Sequence, residues 1–259
     1  MPSEAQASAV PQHTLEDQNS SPAVRKLLVK FYPNYSPHYF RELVVRSVSS
    51  SSHVLEIGAG SGTNHQNHFD LRGVVARYVG VDPDPAVLAN PFLDESYQTS
   101  AESLPFPDGT FDLVFHNFVA EHFANPLACN REIARVLKSG GLLLFQTPNR
   151  LYYPCVAASL TPHWFHEFYV KRFASGRSHD EVFPTFYRLN DAKAIVKQLS
   201  ECALSSEIRY RSLPPGYLRF SPLAFRIGIL YERTVERLFP SLRGHLIVVA
   251  RKLPPAGPS

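Results

Sequence analysis

Short continuous apolar runs, each bounded by glycine, proline or aspartate, punctuate the chain. HVLEI precedes a glycine-rich turn, YVGVD spans 78–82, FDLVFHNF spans 111–118 and GLLLFQTP spans 141–148. None alternates apolar with polar residues, so each predicts a strand buried on both faces. Between them apolar residues recur at helical spacing. SPHYFRELVVRSVSS (36–50) opens on a serine and predicts a helix, and a second starts at about Asp84. NPLACNREIARVLKSGG predicts a third, with Leu127, Ile133, Val136 and Leu137 facing inward and Gly140–Gly141 as its stop. NDAKAIVKQLSECA predicts a further helix, and SSEIRYRSL and HLIVVARK predict strands. Strands alternating with helices define an α/β fold with a sheet covered on both faces. Two segments, 149–188 and 213–243, interrupt the rhythm as inserts, the second carrying a helix in SPLAFRIGILYERTVERLF.

Composition narrows this to a single domain. The chain has 259 residues, 44% of them hydrophobic, enough for one sizeable core over residues 23–253. The polar stretch 1–22 predicts a disordered tail, and 254–259 a flexible one. A net charge of +3 with scattered arginines lacks the concentrated basic stripe of a nucleic-acid binder. Cys129, Cys155 and Cys202 are odd in number and far apart, which fits neither a disulfide framework nor a zinc pair and points to a reducing compartment. With no secretory pattern at the start and no apolar run near the roughly 20 residues that span a bilayer, the expected location is cytoplasmic.

Chemistry enters after the first strand. In LEIGAGSG, Gly58, Gly60 and Gly62 alternate, letting the backbone turn sharply and approach a ligand. A dinucleotide fingerprint would need glycine at Thr63, so hydride transfer with NAD is a distant reading. Asp82 ends the next strand about 20 residues later, where a carboxylate can accept from both hydroxyls of an adenosine ribose. The plain alternative is a tight strand–helix turn with an aspartate cap.

VLEIGAGSG, YVGVDPDP, AESLPFPDGTFDLVF, HNFVAEH and REIARVLKSGGLLLFQTPN, in that order, resemble the successive motifs of class I S-adenosylmethionine-dependent methyltransferases. The resemblance covers about residues 36–150, and HLIVVARK resembles the antiparallel seventh strand of that fold. It implies a Rossmann-like, doubly wound, mostly parallel seven-stranded sheet with an antiparallel last strand and two inserts. It implies S-adenosylmethionine as cofactor, its methionine end held by Glu56 and the backbone of Gly58, Ala59 and Gly60, with Gly62 completing the turn. Asp82 would bind the ribose, Pro83 would flank the adenine, and Ala101 and Glu102 would line its edge. His116 and Asn117 would approach the methionine part. One departure is Ser100, where relatives often carry an Asp or Asn that accepts from the adenine amino group.

The acceptor half shows no motif. By its place near the transferred methyl, His122 is the candidate general base, against an architectural role at a helix start. The stretch TPHWFHEFYVKRFASGRSHDEVFPTFYR (161–188) admits a metal site on His163, His166, His179 and Asp180, an aromatic lid, or a lid that also lines the acceptor pocket. The last is favoured, with Trp164, His166, His179, Tyr187 and Arg188 as acceptor contacts and no metal. The helix at 221–239 mixes apolar residues with Arg226, Arg233 and Arg237; packing on its own domain or a second subunit is preferred over a membrane contact. The expected activity is methyl transfer to oxygen of a small-molecule or glycan- or lipid-linked acceptor. The alternative from another class is a catalytically silent fold-mate that binds the cofactor as a sensor or assembly partner.

Overall fold

The computed structural model describes residues 20–62, 69–160 and 184–254. Their strands are β1 (His53–Ile57), β2 (Arg77–Asp82), β3 (Glu95–Gln98), β4 (Phe111–Asn117), β5 (Leu137–Pro148), β6 (Leu204–Arg211) and β7 (His245–Lys252). They form one sheet in the order β3-β2-β1-β4-β5-β7-β6, in which β7 runs antiparallel to both neighbours and the other pairs are parallel. The helices are α1 (Pro22–Phe31), α2 (Tyr39–Arg46), α3 (Pro126–Val136), α4 (Tyr153–Leu160), α5 (Ala192–Ser200) and α6 (Pro222–Leu238). This is the expected Rossmann-like sheet with its antiparallel last strand.

Continuous apolar strands have a direct consequence for packing. Successive side chains point to opposite faces, so Leu55 and Val114 join Ile133 and Val136 of α3 and Ile195 and Leu199 of α5 on one side. Val54, Leu113 and Phe115 join Phe40 and Val44 of α2 on the other. The sheet is thus buried twice, and β1 sends Val54 to one face and Leu55 and Ile57 to the other.

Five elements differ from the sequence expectation, one being the helix α4 within the first insert. The helix ending at Gly140–Gly141 stops at Val136, and LKSGG opens β5 instead. Leu137 pairs with Phe111, and the Lys138 ammonium reaches the Asp112 carboxylate at 2.7 Å, so tertiary partners draw this segment into the ladder. The helix from Asp84 shrinks to a 3-10 turn, Pro85–Ala89, which the Asp84 carboxylate caps by accepting the Ala86 N–H at 2.8 Å. β3 has no apolar run; it is an edge strand tied down by Arg77, which forks onto Glu95 with two bonds of 2.7 Å. α1, absent from the expectation, packs Val24 and Leu28 on Phe225 and Ile229 of α6 and anchors the second insert to the domain.

The opposite side of α6 leaves Leu223, Ile227 and Leu230 more than 60% exposed. Among the described residues no helix is long and apolar enough to cross a membrane.

Arg135 of α3 holds the loop that leads into β4. Its guanidinium donates to the carbonyls of Leu104 (2.9 Å) and Phe106 (2.7 Å) and to the carboxylates of Asp108 (2.9 Å) and Glu132 (2.8 Å). Lysine cannot reproduce that fork. Arg135→Ala should therefore lower the unfolding free energy by about 1–3 kcal/mol, measured by urea denaturation, and Arg135→Lys should recover only part of it.

Candidate functional site

Parallel register places Ile57 beside Val81 on one side and His116 on the other, so the carboxyl ends of β1, β2 and β4 open on one edge of the sheet. Open α/β sheets bind ligands there. A cavity of about 480 Å³ occupies this edge, within the roughly 300–1,000 Å³ of small-ligand sites.

The glycine turn forms its floor. Gly58 and Gly62 have φ of +75° and +71°, and a Cβ would fall 2.3 Å from Val119 Cγ2 or 2.6 Å from Asn90 Oδ1. Both conformation and space therefore demand glycine at these positions. The Gly58 and Ala59 N–H groups donate to the Val81 carbonyl at 2.8 and 3.2 Å, and the Gly60 N–H donates to Asp82 Oδ2 at 3.0 Å. The Ala59 and Gly60 carbonyls in turn accept from Asn90 Nδ2 at 3.1 and 3.0 Å, so these backbone groups, expected to hold the methionine end, also hold the turn itself together.

Two buried acids flank the turn. Glu56 accepts a hydrogen bond from the Tyr78 hydroxyl and is 7% exposed. Burial pushes its carboxyl up to about 8; the Tyr78 bond opposes this, Asp82 adds to it and Arg41 opposes it. Asp82 is also raised by burial, against the N–H groups of Asp84 (2.9 Å) and Gly60 that favour its charged form. Pro83, Ser100, Ala101, Glu102 and Asn117 line the same cavity.

The structure separates His116 from this group. Its ring is fully buried, stacked on Phe145 at 4.5 Å and 15°, and burial lowers its pKa to about 3. His116 shares the β4 face of Val114, which belongs to the core, so the expectation that its side chain approaches the methionine part is corrected by strand alternation.

His122 does line the cavity, with Nδ1 3.0 Å from the Pro184 carbonyl. A carbonyl only accepts, so this bond puts the proton on Nδ1 and the lone pair of the neutral ring on Nε2.

Tyr187 and Arg188 are not among the lining residues. The Tyr187 N–H donates to the Glu121 carbonyl, and the Arg188 guanidinium lies over Phe186 and donates to the Ala124 carbonyl. Pro184 and Phe186 border the cavity in their place. Trp164, His166 and His179, like the metal candidates His163 and Asp180, lie outside the described residues. Val119 and Phe123 also line the cavity; their place after β4 was the only sequence signal that marked them.

Residues 55–145 match the family model of the methyltransferase domain. Over this stretch the chain is similar to S-adenosylmethionine-dependent methyltransferases. It is 37% identical over 100 residues to the uncharacterised methyltransferase YcgJ of Bacillus subtilis, covering 35% of this chain and 38% of that protein. It is 39% identical over 104 residues to the "Probable S-adenosylmethionine-dependent methyltransferase Rv3030" of Mycobacterium tuberculosis, covering 38% and 36%. The matches thus span less than half the length of these curated relatives. Among solved structures, a chain of the complex between the Haloferax volcanii Trm112 methyltransferase activator and a candidate methyltransferase superposes with a TM-score of 0.56. Its identity is 17%, covering 91% of this chain and 96% of that one. The YcgJ structure gives 0.50 at 18% identity, covering 84% and 99%. At these identities the structural likenesses concern the fold.

The raised carboxyl of Glu56 has a sign that can be checked. Its folded pKa of about 8 lies above the ordinary 4.5, so the ligand-free folded state holds the proton more tightly than the unfolded chain. That contribution is complete below about pH 4.5 and is lost as pH rises through about 8. Glu56→Gln should gain stability over the parent as pH rises from 5.5 to 8.5, read from paired urea melts without ligand. A pH-independent difference would contradict the burial of a titrating acid.

Proposed function

We propose that the chain transfers the methyl group of S-adenosylmethionine to an oxygen of a small-molecule or glycan- or lipid-linked acceptor. One observation carries the donor half: among the described residues the cavity is lined by Glu56, Asp82, Asp84 and Glu102, with no lysine or arginine. A dinucleotide would bring a doubly negative pyrophosphate against these carboxylates. S-adenosylmethionine brings an ammonium and a sulfonium, and the latter supplies an already activated methyl group.

The residues of this chain fit that donor. Each Asp82 oxygen accepts one backbone N–H and retains acceptor capacity for a ribose hydroxyl. Glu56 meets the ammonium, a cation that favours the ionised carboxylate and pulls its pKa down. Pro83 and Ala101 give the adenine apolar contact, and Glu102 and Ser100 supply acceptors at its edge. Transfer is an in-line displacement: the acceptor oxygen bonds to the methyl carbon as the carbon–sulfur bond breaks and its electron pair stays on sulfur. The acceptor hydroxyl loses a proton, and His122, with its Nε2 lone pair, takes it. The walls of Val119, Phe123 and Phe186 limit the water that would compete as acceptor.

Calorimetric titration with S-adenosylmethionine and with NAD tests the donor. Binding of the first is expected, and binding of NAD alone would overturn the reading. Asp82→Ala should weaken donor binding by about 1–3 kcal/mol; unchanged affinity would mean the ribose is held elsewhere.

His122→Ala should leave donor binding intact and lower label incorporation from methyl-labelled donor into cell extract by roughly 10²–10⁴-fold. Undiminished turnover would remove His122 from the chemistry. Donor binding with no labelled product in any extract would favour the silent fold-mate.

A further inference from the structure

A second cavity, of about 190 Å³, adjoins the first, and Asn117 and Phe118 line both. Its charge is the reverse. Among the described residues, Arg41 and Arg211 line it with no aspartate or glutamate, whereas the first cavity has four carboxylates and neither lysine nor arginine. Tyr35, Gln146 and His245 complete much of its wall. The two cavities meet at the end of β4, where Phe118 takes a positive φ of 57°. Its N–H donates to the Gln146 carbonyl at 2.9 Å, and its ring stands edge-on to His245 at 4.9 Å.

The two arginines differ in their surroundings. Arg41 acts electrostatically on Glu56 and so belongs with the donor half. Arg211, at the end of β6, forms no ion pair among the described residues. Its guanidinium lies over the rings of Tyr35 (4.9 Å) and Tyr39 (5.3 Å) and gives one hydrogen bond to the Ser36 carbonyl. Glu42 is the carboxylate it feels, and that group already accepts from the Ser36 hydroxyl at 2.7 Å. A guanidinium has five donors, so most of its capacity is unspent. Three buried polar atoms of this wall, Asn117 Oδ1, Gln146 Oε1 and His245 Nδ1, also lack a hydrogen-bond partner among the described residues, which marks a polar site rather than a packing void.

We propose that this cavity is the acceptor subsite and that Arg211 recognises an oxyanion on the acceptor, a carboxylate or a phosphate. The oxyanion pairs with the guanidinium, held flat by the two tyrosines, and the nucleophilic oxygen passes Asn117 and Phe118 towards the donor cavity. This assignment rests on the methyl-transfer reading above and adds the acceptor's charge and the residue that selects it.

The test uses the full chain saturated with S-adenosylhomocysteine and titrated with inorganic phosphate or acetate, with chloride at equal ionic strength as control. Thermal melts of the parent should rise with phosphate or acetate and not with chloride, and whichever anion acts identifies the oxyanion. Arg211→Met, which keeps the stem on the tyrosines, should weaken that response at least tenfold. Arg211→Lys, which keeps the charge, should restore part of it, and S-adenosylhomocysteine affinity should be equal in all three proteins. The proposal is overturned if the parent ignores both anions or if Arg211→Met responds as the parent does. It is also overturned if Arg211→Met loses S-adenosylhomocysteine affinity tenfold, since the arginine would then hold the cofactor's own carboxylate. Should the parent fail to bind S-adenosylhomocysteine, the donor reading falls by itself, and the anion titrations still decide the role of Arg211. If Arg211→Met does not fold, the parent's response together with that of Arg211→Lys decides.

Discussion

The Asp82 carboxylate joins the ends of two strands. One oxygen accepts the Gly60 N–H at 3.0 Å and the other the Asp84 N–H at 2.9 Å. These bonds, with the Val81 carbonyl that accepts from Gly58 and Ala59, fold the turn after β1 back over the end of β2. The positive φ angles of Gly58 and Gly62, the burial of Glu56 beneath them and the opening of the cavity all require that closure. A carboxylate performs it at a cost, since burial raises its pKa. Within the proposed reaction that cost has a use: the oxygens that close the turn are the ones that meet a ribose.

What could be read in the sequence follows from where each segment finds its partners. β1, β2, β4 and β7 are legible because burial on both faces makes their central positions a near-continuous apolar run, with polar residues gathered towards the ends. β3 is not, because an edge strand can be held by an Arg77–Glu95 fork and needs no apolar run. α1 is missed for a related reason: its apolar face closes only against α6, about 200 residues further on. LKSGG misleads because two glycines mark a helix end locally, while Phe111 and Asp112 pull the same residues into the sheet.

The site divides along the same line. The glycine turn, Glu56 and Asp82 are local signals at fixed spacing, and the structure brings them to one cavity. His116 and Asn117 are neighbours in sequence, yet alternation sends one ring into the core and leaves the other side chain on the cavity wall. The second cavity had no legible signature, since Tyr35, Phe118, Arg211 and His245 come from four distant segments, of which the β6–β7 ladder pairs only Arg211 with His245.

Charge separation across Asn117 and Phe118 bears on turnover as well as recognition. An acidic cavity favours a cationic donor, and methyl transfer turns that sulfonium into a neutral thioether, so the product loses one of the attractions that held the substrate. In the same reading Glu56 meets the ammonium, which the reaction leaves unchanged, so the ionisation of this buried carboxyl follows donor binding rather than turnover. On the proposed acceptor side, methylation of a hydroxyl would leave the oxyanion charged, so Arg211 would attract substrate and product alike and contribute placement rather than discrimination. Release of the methylated acceptor then depends on loss of its attraction to the sulfonium across the shared wall. The two cavities are thereby coupled through the charge that the reaction removes.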